Sequence, residues 1–535
     1  MFNRKKKIKA LLKESFGKVK EASFDFESIE KYFRKSDKSN AFHVISDKTC
    51  NDLDFNELFM FMDRTTSKVG QQYYYDTLRT IPKTTEKFIV QEQFIKELVN
   101  NPELRIEIQY YLNKLVNNKT FYITSLFQDE HIKPPKWFFV ISLLSFTSIL
   151  SILMMPFNHL LLFVLLGVFV INMGFHYWNK RNLYEYLGSI PQLLNLNKVA
   201  KELIRNELFK DIAGDIPASI RIIDKVRNRM SFFRLEAKLE SDTEIAFWFM
   251  LEIIKTLFLL EPLLLFGVLR QLDTKRKEIN AIFSFVGYVD SLISIISLRQ
   301  SAINYCLPEI NTSDRSIEVK DLYHPLIPDC ITNSIITDNK SILLTGSNMS
   351  GKTTFIRAIG INAISAMTIN TCFASRFKLP VLKLFTAIRI SDDLMNDKSY
   401  YFEEVLTIKN MIEKSQTNDS NLFLLDEIFK GTNTIERISA GKAVLSFLTR
   451  NSNVVFVSTH DIELTDMLNE EYDLYHFSEQ VDNKTVDFDF KLKPGKLKNR
   501  NAIRILKIND YPDQIITEAL EISRYLDRSL STSSL

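Results

Sequence analysis

The stretch Thr345-Gly346-Ser347-Asn348-Met349-Ser350-Gly351-Lys352-Thr353-Thr354 decides the fold of the C-terminal half of this chain. It follows the apolar run 342–344 and opens a segment, 355–367, that is patterned like a helix. Two glycines with four residues between them let the backbone wrap around phosphate, while Lys352 supplies a positive charge and Thr353 a hydroxyl for Mg²⁺. The following helix presents its positive N-terminal end to the anion. The pattern predicts a P-loop with ATP ligands from Gly346 to Thr354; the alternative is a Gly/Ser turn that matches by chance.

Two further apolar runs end in residues suited to the same chemistry. The run 421–425 delivers Asp426 and Glu427 at its C-terminal end, where an α/β sheet places its ligands. A third predicted strand, 453–458, is followed by Thr459 and His460. Asp426 is suited to hold Mg²⁺ together with Thr353, Glu427 to deprotonate the attacking water, and His460 to sense the γ-phosphate. By itself His460 would be an ordinary hydrogen-bonded histidine, but its place in this series of strands favours the catalytic role.

Five segments, in order along the chain, resemble the ATPase domain of the MutS family. They are 345–354, 386–394, 399–404, 426–434 and 458–464. Weaker similarity extends to 305–308, 324–326, 494–495 and 502–519, and the stretch 53–82 resembles the opening of the family's helical core domain. Ser347 stands where the family usually has proline, and Phe429-Lys430 where it usually has Gly-Arg. Neither change removes a predicted phosphate or Mg²⁺ ligand, so the resemblance implies a Mg²⁺-dependent ATPase of the ABC type with Lys352, Glu427 and His460 as catalytic residues.

The resemblance also implies a homodimer that binds DNA. In the family, the segment corresponding to 399–405 completes the ATP site of the partner subunit, which implicates Ser399 as a cross-subunit ATP contact. A serine that caps a nearby helix is an equally good interpretation of Ser399. Family members that read mispairs carry a separate domain of roughly a hundred residues ahead of the core, and residues 1–47 are too few for one. The sequence therefore predicts a variant without the N-terminal mismatch-reading domain.

A long charge-free interval predicts a membrane anchor. The segments 137–155 and 160–178 are each nineteen residues long, lack Asp, Glu, Lys and Arg, and are separated by Pro156-Phe157-Asn158-His159. Each is long enough to cross a bilayer. Basic residues flank both outer ends (Lys133, Lys136, Lys180, Arg181), which places both ends in the cytoplasm. The alternative is a buried helical hairpin inside a large helical core. The apolar region 246–269 contains Glu252, Lys255 and Glu261, and these charges favour a long, packed core helix over the alternative of a third membrane span.

Composition restricts the partners. The chain has 535 residues, room for two or three domains, and 68 Lys and Arg against 65 Asp and Glu leave a net charge of only +3. This small net charge gives no sign of a nucleic-acid-binding protein. The start of the chain, Arg4 to Lys9, is locally basic; it would either bind acidic phosphate groups or form a solvated terminus. Four cysteines are scattered, with no pair at metal-ligand spacing.

The predicted architecture is α plus α/β in four parts. A basic N-terminal segment (1–47) precedes a helical core and lever domain (48–310) that is interrupted by the transmembrane hairpin (137–178). The P-loop ATPase domain (311–490) and a C-terminal helical segment (491–535) follow. We expect an ATPase at the cytoplasmic membrane, facing the cytoplasm, linked to mismatch repair or DNA-structure sensing. The alternative is a membrane-associated ATP switch that acts on a protein partner; a transporter is disfavoured because Leu-Ser-Gly-Gly-Gln is absent from the sequence.

Overall fold

The computed structural model describes residues 2–182, 184–241, 245–311, 315–337, 340–347, 349–389, 400–481, 486–497 and 502–532. The helices in these ranges are α1 (Phe2–Ser15), α2 (Phe26–Lys35), α3 (Asp47–Asp52), α4 (Phe55–Met62), α5 (Lys68–Arg79), α6 (Glu86–Asn100), α7 (Pro102–Leu112), α8 (Ser125–Gln128), α9 (Phe138–Met154), α10 (Leu161–Asn182), α11 (Tyr184–Ile204), α12 (Lys210–Ala213), α13 (Ile216–Ser241), α14 (Ile245–Phe258), α15 (Leu260–Leu272), α16 (Arg276–Ser301), α17 (Lys352–Ile369), α18 (Tyr400–Ser415), α19 (Thr434–Leu448), α20 (Glu463–Met467), α21 (Ala502–Ile508) and α22 (Asp513–Thr532). The strands are β1 (Ala41–Val44), β2 (Thr80–Pro82), β3 (Glu309–Asn311), β4 (Glu318–Leu322), β5 (Asn333–Ile336), β6 (Ser341–Thr345), β7 (Arg376–Pro380), β8 (Lys383–Ala387), β9 (Asn421–Asp426), β10 (Val454–Thr459), β11 (Tyr472–His476), β12 (Glu479–Val481), β13 (Val486–Phe488) and β14 (Lys493–Pro494).

The chain forms two compact units. The first, helical unit comprises Met1–Ser39, Met62–Thr77 and Ile89–Ser301. The second comprises Asn40–Phe61, Leu78–Phe88 and Ala302–Leu535, and contains the sheets. The predicted combination of helical and mixed α/β architecture is therefore confirmed at the level of fold class.

A six-stranded sheet with the order β14-β11-β6-β10-β9-β8 forms the centre of the second unit. The pairs from β11 to β8 are parallel, and β14 is antiparallel to β11. β6 and β10 are buried along their whole length, as is β9 up to Leu425, which explains why their sequences are nearly continuous apolar runs. Because these three central strands are parallel, the residues that follow each of them meet at one edge of the sheet.

Helices cover the central sheet and fix its edge. Side chains of α18, α19 and α20 pack against one face in a core that includes Leu343, Phe423 and Leu445. The P-loop helix α17 packs on β9 and β10 closely enough that a Cβ on Gly360 would come within 2.7 Å of Leu424 Cδ1. A second sheet, with the order β3-β7-β4-β5, lies in the same unit.

Two N-terminal stretches also belong to the second unit. Asp52 accepts hydrogen bonds from the backbone N–H groups of Ile388 (3.1 Å) and Arg389 (3.0 Å), directly after β8. Asp54 forms an ion pair with Arg357 of α17 (2.9 Å). Asp52 is fully buried, and the two backbone N–H groups together with Lys48 Nζ (3.2 Å) satisfy its carboxylate. The end of β8 and the P-loop helix are therefore held by residues some 300 positions earlier in the chain.

The predicted hydrophobic hairpin forms two adjacent helices in the first unit. The nineteen-residue segments become α9, of 17 residues, and α10, of 22 residues. Among the described residues, two helical stretches are long and apolar enough to cross a membrane, Leu161–Arg181 and Leu260–Ser301. Their most apolar 18-residue windows are 11% and 83% buried, respectively. Length and composition are weak evidence for spanning, since the core helix of a soluble protein meets the same criteria. The large apolar side chains of α9 and α10 are mostly exposed, which differs from the alternative of an interior hairpin.

The apolar region 246–269 is broken where one continuous helix is expected. Leu259 has a φ of +49° and separates α14 from α15. A leucine rarely adopts this left-handed conformation, so tertiary contacts must hold it there. The prediction of a single long core helix is therefore wrong.

Candidate nucleotide-binding site

The P-loop connects the end of β6 to the start of α17. Gly346 (φ +153°) and Gly351 (φ +109°) adopt backbone conformations that favour glycine. A Cβ on Gly346 would lie 2.8 Å from Phe477 O and 2.8 Å from Ser350 Oγ, so this position has no room for a side chain. The Ser350 hydroxyl donates to Ser347 O (2.8 Å), which closes the loop. Asn348 lies outside the described residues, and the Met349 side chain is 83% exposed.

Lys352 is buried at the first position of α17. Its Nζ donates to Gly346 O (2.9 Å) and Ser347 O (2.8 Å), both within the loop. Burial lowers the pKa of Lys352, and the nearby Glu427 and Asp426 carboxylates counteract that effect. The loop thus holds a desolvated ammonium group over its own concave side, as a phosphate-binding lysine requires.

Thr353 and Asp426 converge across the edge of the sheet. Thr353 Oγ1 donates to Asp426 Oδ2 at 2.7 Å, and the Ser458 hydroxyl at the end of β10 donates to Asp426 Oδ1. A hydroxyl and a carboxylate oxygen in contact are the hard oxygen ligands that Mg²⁺ prefers. The two predicted Mg²⁺ ligands are therefore brought together, although they are 73 positions apart in the chain.

Glu427 and His460 also meet at this edge. His460 Nε2 lies 2.6 Å from Glu427 Oε1, and Lys430 Nζ lies 2.9 Å from Glu427 Oε2. Glu427 has a φ of +53°, and its N–H donates to Ser458 O (2.9 Å), which directs the side chain past the end of β9. Burial by itself raises the pKa of Glu427, but the hydrogen bonds from His460 and Lys430 outweigh it and hold the pKa at about 2.

A cavity of about 770 Å³ adjoins the P-loop. Its lining combines loop residues from Met349 to Phe355 with apolar and aromatic side chains, among them Ile327, Phe477 and Phe490. His324 also lines it, and burial, with the nearby Arg357 charge, lowers the pKa of His324 to about 4, so the ring is neutral at pH 7. The volume falls within the range of small-molecule sites. Sequence reasoning noted 324–326 only as a weak resemblance and missed Phe477 and Phe490, which carry no motif.

Sequence reasoning also missed two contacts that support the loop after Glu427. The Glu404 carboxylate accepts a hydrogen bond from the Phe429 N–H, and a Cβ on Gly431 would lie 2.9 Å from Tyr401 Cβ. These contacts join α18 to the loop between β9 and α19. Ser399, which precedes α18, lies outside the described residues.

A parallel sheet in which a P-loop, an Asp-Glu pair and a histidine follow three neighbouring strands defines the P-loop class of α/β fold. The family model for MutS domain V matches residues 342–527. The chain is also similar to DNA mismatch repair proteins MutS of several organisms. It is 28% identical to that of Clostridium kluyveri over 49% of this chain and 32% of the relative, and 28% identical to that of Methanosarcina acetivorans over 49% and 30%. Identity to the Petrotoga mobilis protein is 31% over 50% of this chain and 34% of the relative.

Residues 342–527 of this chain therefore match a domain of the MutS family. The similarity covers its C-terminal half, and it spans about a third of the length of the curated relatives it matches.

Proposed function

We propose that this protein binds ATP with Mg²⁺ and hydrolyses it to ADP and phosphate. One observation carries the proposal: Lys352, the Thr353–Asp426 contact and the Glu427–His460 contact all meet where the parallel strands end. Similarity to the MutS family supports the same activity. The cavity beside the P-loop offers apolar and aromatic surface for the nucleoside part of the substrate.

Each residue has a separate task in this proposal. P-loop amides and Lys352 hold the β- and γ-phosphates, and a Mg²⁺ ion held by Thr353 and Asp426 would neutralise phosphate charge. Glu427 accepts a proton from water while the water oxygen bonds to the γ-phosphorus and the bond to the bridging oxygen of ADP breaks. His460 donates to a γ-phosphate oxygen. Transition-state charge is stabilised by groups that are already in position.

We further propose that the ATPase works as a homodimer on DNA, anchored in the membrane through residues 137–178 with its nucleotide site in the cytoplasm. The similarity to MutS supports dimer formation and DNA binding. The orientation of the hairpin, with both ends in the cytoplasm, is supported by the basic residues that flank it (Lys133, Lys136, Lys180, Arg181). Ser399 is the proposed cross-subunit ATP contact. The small net charge of +3 favours a second candidate, an ATP switch that acts on a protein partner. Binding to homoduplex, mispaired and branched DNA over a salt series separates the two, because phosphate contacts make log affinity fall with log salt.

The chemistry is tested by comparing ATP binding and turnover in Lys352→Ala and Glu427→Gln proteins. We expect Lys352→Ala to impair binding, and Glu427→Gln to bind ATP normally but to hydrolyse it about 10²–10⁴-fold more slowly, since an amide cannot act as the base. Matched controls are Lys507→Ala and Glu470→Gln, at exposed positions of the second unit. Wild-type turnover by Glu427→Gln would contradict the assignment of the base.

A further inference from the structure

Helix α14 has its polarity reversed relative to a helix on a water-exposed surface. Its charged side chains turn inward: Lys255 is 1% and Glu252 is 16% exposed. Three of its large apolar side chains turn outward: Phe249 is 58%, Met250 51% and Ile253 54% exposed. In water the opposite arrangement is favoured, because burying charge is costly and burying apolar surface is favourable. The outer face of α14 therefore fits hydrocarbon better than water.

The neighbouring hairpin shows the same reversal. On α9, buried positions include Ser145, Ser148 and Ser151, whereas Phe139, Phe146 and Leu153 are exposed. On α10, Asn172 and Asn179 are fully buried, whereas the exposed residues include Phe163, Val170 and Met173. Both α9 and α10 contact α14. Three adjacent helices thus turn polar groups toward one another and apolar groups outward.

The inward charges of α14 are satisfied by partners on α10 and α15. Lys255 Nζ lies 2.6 Å from Glu261 Oε1 and 3.0 Å from Glu252 Oε1, and Lys180 Nζ lies 2.8 Å from Glu252 Oε1. His176 Nε2 lies 3.2 Å from Glu252 Oε2. Two carboxylates face two ammonium groups, so the cluster is balanced without a metal ion. We therefore interpret it as an ion-pair network, which is how charged groups are accommodated at membrane depth.

The contacts also give the direction of the chain. Lys180, at the basic end of α10, pairs with Glu252, and Asn172 Nδ2, eight residues earlier, donates to Leu257 O at 2.8 Å. Helix α14 therefore runs antiparallel to α10, from its basic end to its middle. At Leu259 the chain turns, and α15 returns: Asn179 Nδ2 lies 3.3 Å from Glu261 Oε2, and Phe266 contacts Phe138 at the start of α9, with ring centroids 5.0 Å apart.

From this geometry we propose that α14 and α15 form a re-entrant helical pair, which dips into the cytoplasmic leaflet beside the hairpin and turns at Leu259. The proposal rests on the membrane anchoring proposed above. Eight residues of helix correspond to about 12 Å, less than half of the ~30 Å hydrocarbon core, so the turn lies within one leaflet. Helix α14, with 14 residues, is too short for a third span.

The backbone and charge pattern of the pair fit this position. Non-helical backbone is tolerated at membrane depth only where its polar groups are paired or covered by protein. Leu259 is fully buried, and the carbonyl of Leu257 is paired with Asn172. On α15 the exposed side is apolar near the turn, at Leu264, and becomes basic at Arg270, near the base of the hairpin. An arginine there would reach the phosphate headgroups.

Site-directed spin labelling of the full-length protein in bilayers tests the proposal. Single cysteines replace Ile253 and Leu264 in the re-entrant pair, Phe146 and Val170 in the hairpin, and the exposed Ile89 of α6 as the aqueous control. The background has the four native cysteines replaced. Retained ATP binding shows that the second unit of each variant is folded, and an unchanged helical circular dichroism spectrum shows the same for the first unit. Collision of the nitroxide with oxygen is compared with collision with a water-soluble nickel chelate.

We expect labels at 253 and 264 to favour oxygen over the nickel chelate several-fold relative to position 89, and to report a shallower depth than 146 and 170. If 253 and 264 match the aqueous control while 146 and 170 remain in lipid, the re-entrant pair is refuted and the hairpin anchor stands. If all four positions match position 89, the anchor itself is refuted.

Discussion

The edge of the central sheet and the hydrophobic hairpin place polar side chains by opposite rules. At the sheet edge, strands β6, β9 and β10 bury apolar side chains on both faces, and polar groups collect where the strands end. In the hairpin, serines of α9 are buried and asparagines of α10 are buried against α14 and α15, while phenylalanine, leucine and valine side chains are exposed. If the hairpin lies in lipid, one preference explains both arrangements: apolar side chains avoid water, and polar groups avoid hydrocarbon.

Burial of an apolar side chain has a different energetic consequence in each region. Around β9, a buried leucine is removed from water and contributes transfer free energy. In α10, an exposed leucine contributes transfer free energy only if a bilayer covers it. The same type of substitution should therefore have different effects on stability and membrane retention in the two regions.

The largest divergence is expected for charged substitutions at exposed apolar positions. Phe146→Lys combined with Val170→Lys places two charges at the centres of α9 and α10, at about 2.5–3.5 kcal/mol each for a bilayer-embedded helix. We expect the protein to lose its retention in carbonate-washed membranes. Ile89→Lys combined with Ile435→Lys, at positions 66% and 80% exposed, is the matched control.

The control pair should leave membrane retention unchanged and cost less than about 0.5 kcal/mol of stability per site. Equal membrane retention of both double variants would show that the outer face of the hairpin does not contact lipid, and would contradict the proposed difference between the two regions.

A second divergence is expected for truncation of leucine. Leu424 is fully buried on β9 against Gly360, so Leu424→Ala should lower the free energy of unfolding of the second unit by about 2–5 kcal/mol. Leu166 is 53% exposed on α10, and Leu166→Ala leaves no cavity. The measurements are the urea midpoint for loss of fluorescent-nucleotide binding, which reports the second unit, and the urea midpoint for loss of helical circular dichroism, which also reports the helical first unit. A similar drop in both variants would contradict the distinction.

Local sequence was enough to predict the elements at the sheet edge. Continuous apolar runs predicted β9 and β10 to within a residue, and the P-loop pattern predicted that a helix follows β6. These features depend on residues that are neighbours in the chain, so a single sequence is enough to predict them.

Other features depend on partners far away in the chain. Nothing near Asp52 or Asp54 indicates that they hold the end of β8 and the P-loop helix, since the donors lie some 300 residues later. The break at Leu259 has one local signal, Pro262 in the first turn of α15, which cannot continue a preceding helix. The ion pair between Lys255 and Glu261, which spans the break, has no such signal. Phe477 and Phe490 line the cavity from separate loops, and their side chains are too common to predict a site.

The smallest expected effect concerns Lys430, one of the residues that departs from the family pattern. Together with His460, it holds the pKa of Glu427 at about 2, below the ordinary 4.5. A carboxylate with a lowered pKa contributes stability that is present above pH 4.5 and is lost as the pH falls through about 2. Lys430→Met removes one of the two hydrogen bonds, so the folded-state pKa should rise, and the contribution should shrink and disappear at a higher pH.

Because the pair is partly exposed, we expect the loss at pH 7 to be at most about 1 kcal/mol. Lys430→Arg, which restores the family's usual residue, is the matched control, since it keeps the positive charge and a donor for Glu427. The measurement is the pH dependence of ATP hydrolysis and of the urea midpoint between about pH 2 and 8, which includes the range in which Glu427 titrates. A higher pKa also makes Glu427 a stronger base, so the acid limb of the hydrolysis profile should move to higher pH in Lys430→Met and stay in place in Lys430→Arg. An unchanged acid limb in both variants would mean that His460 alone sets the pKa of Glu427, and that Lys430 only lies beside it.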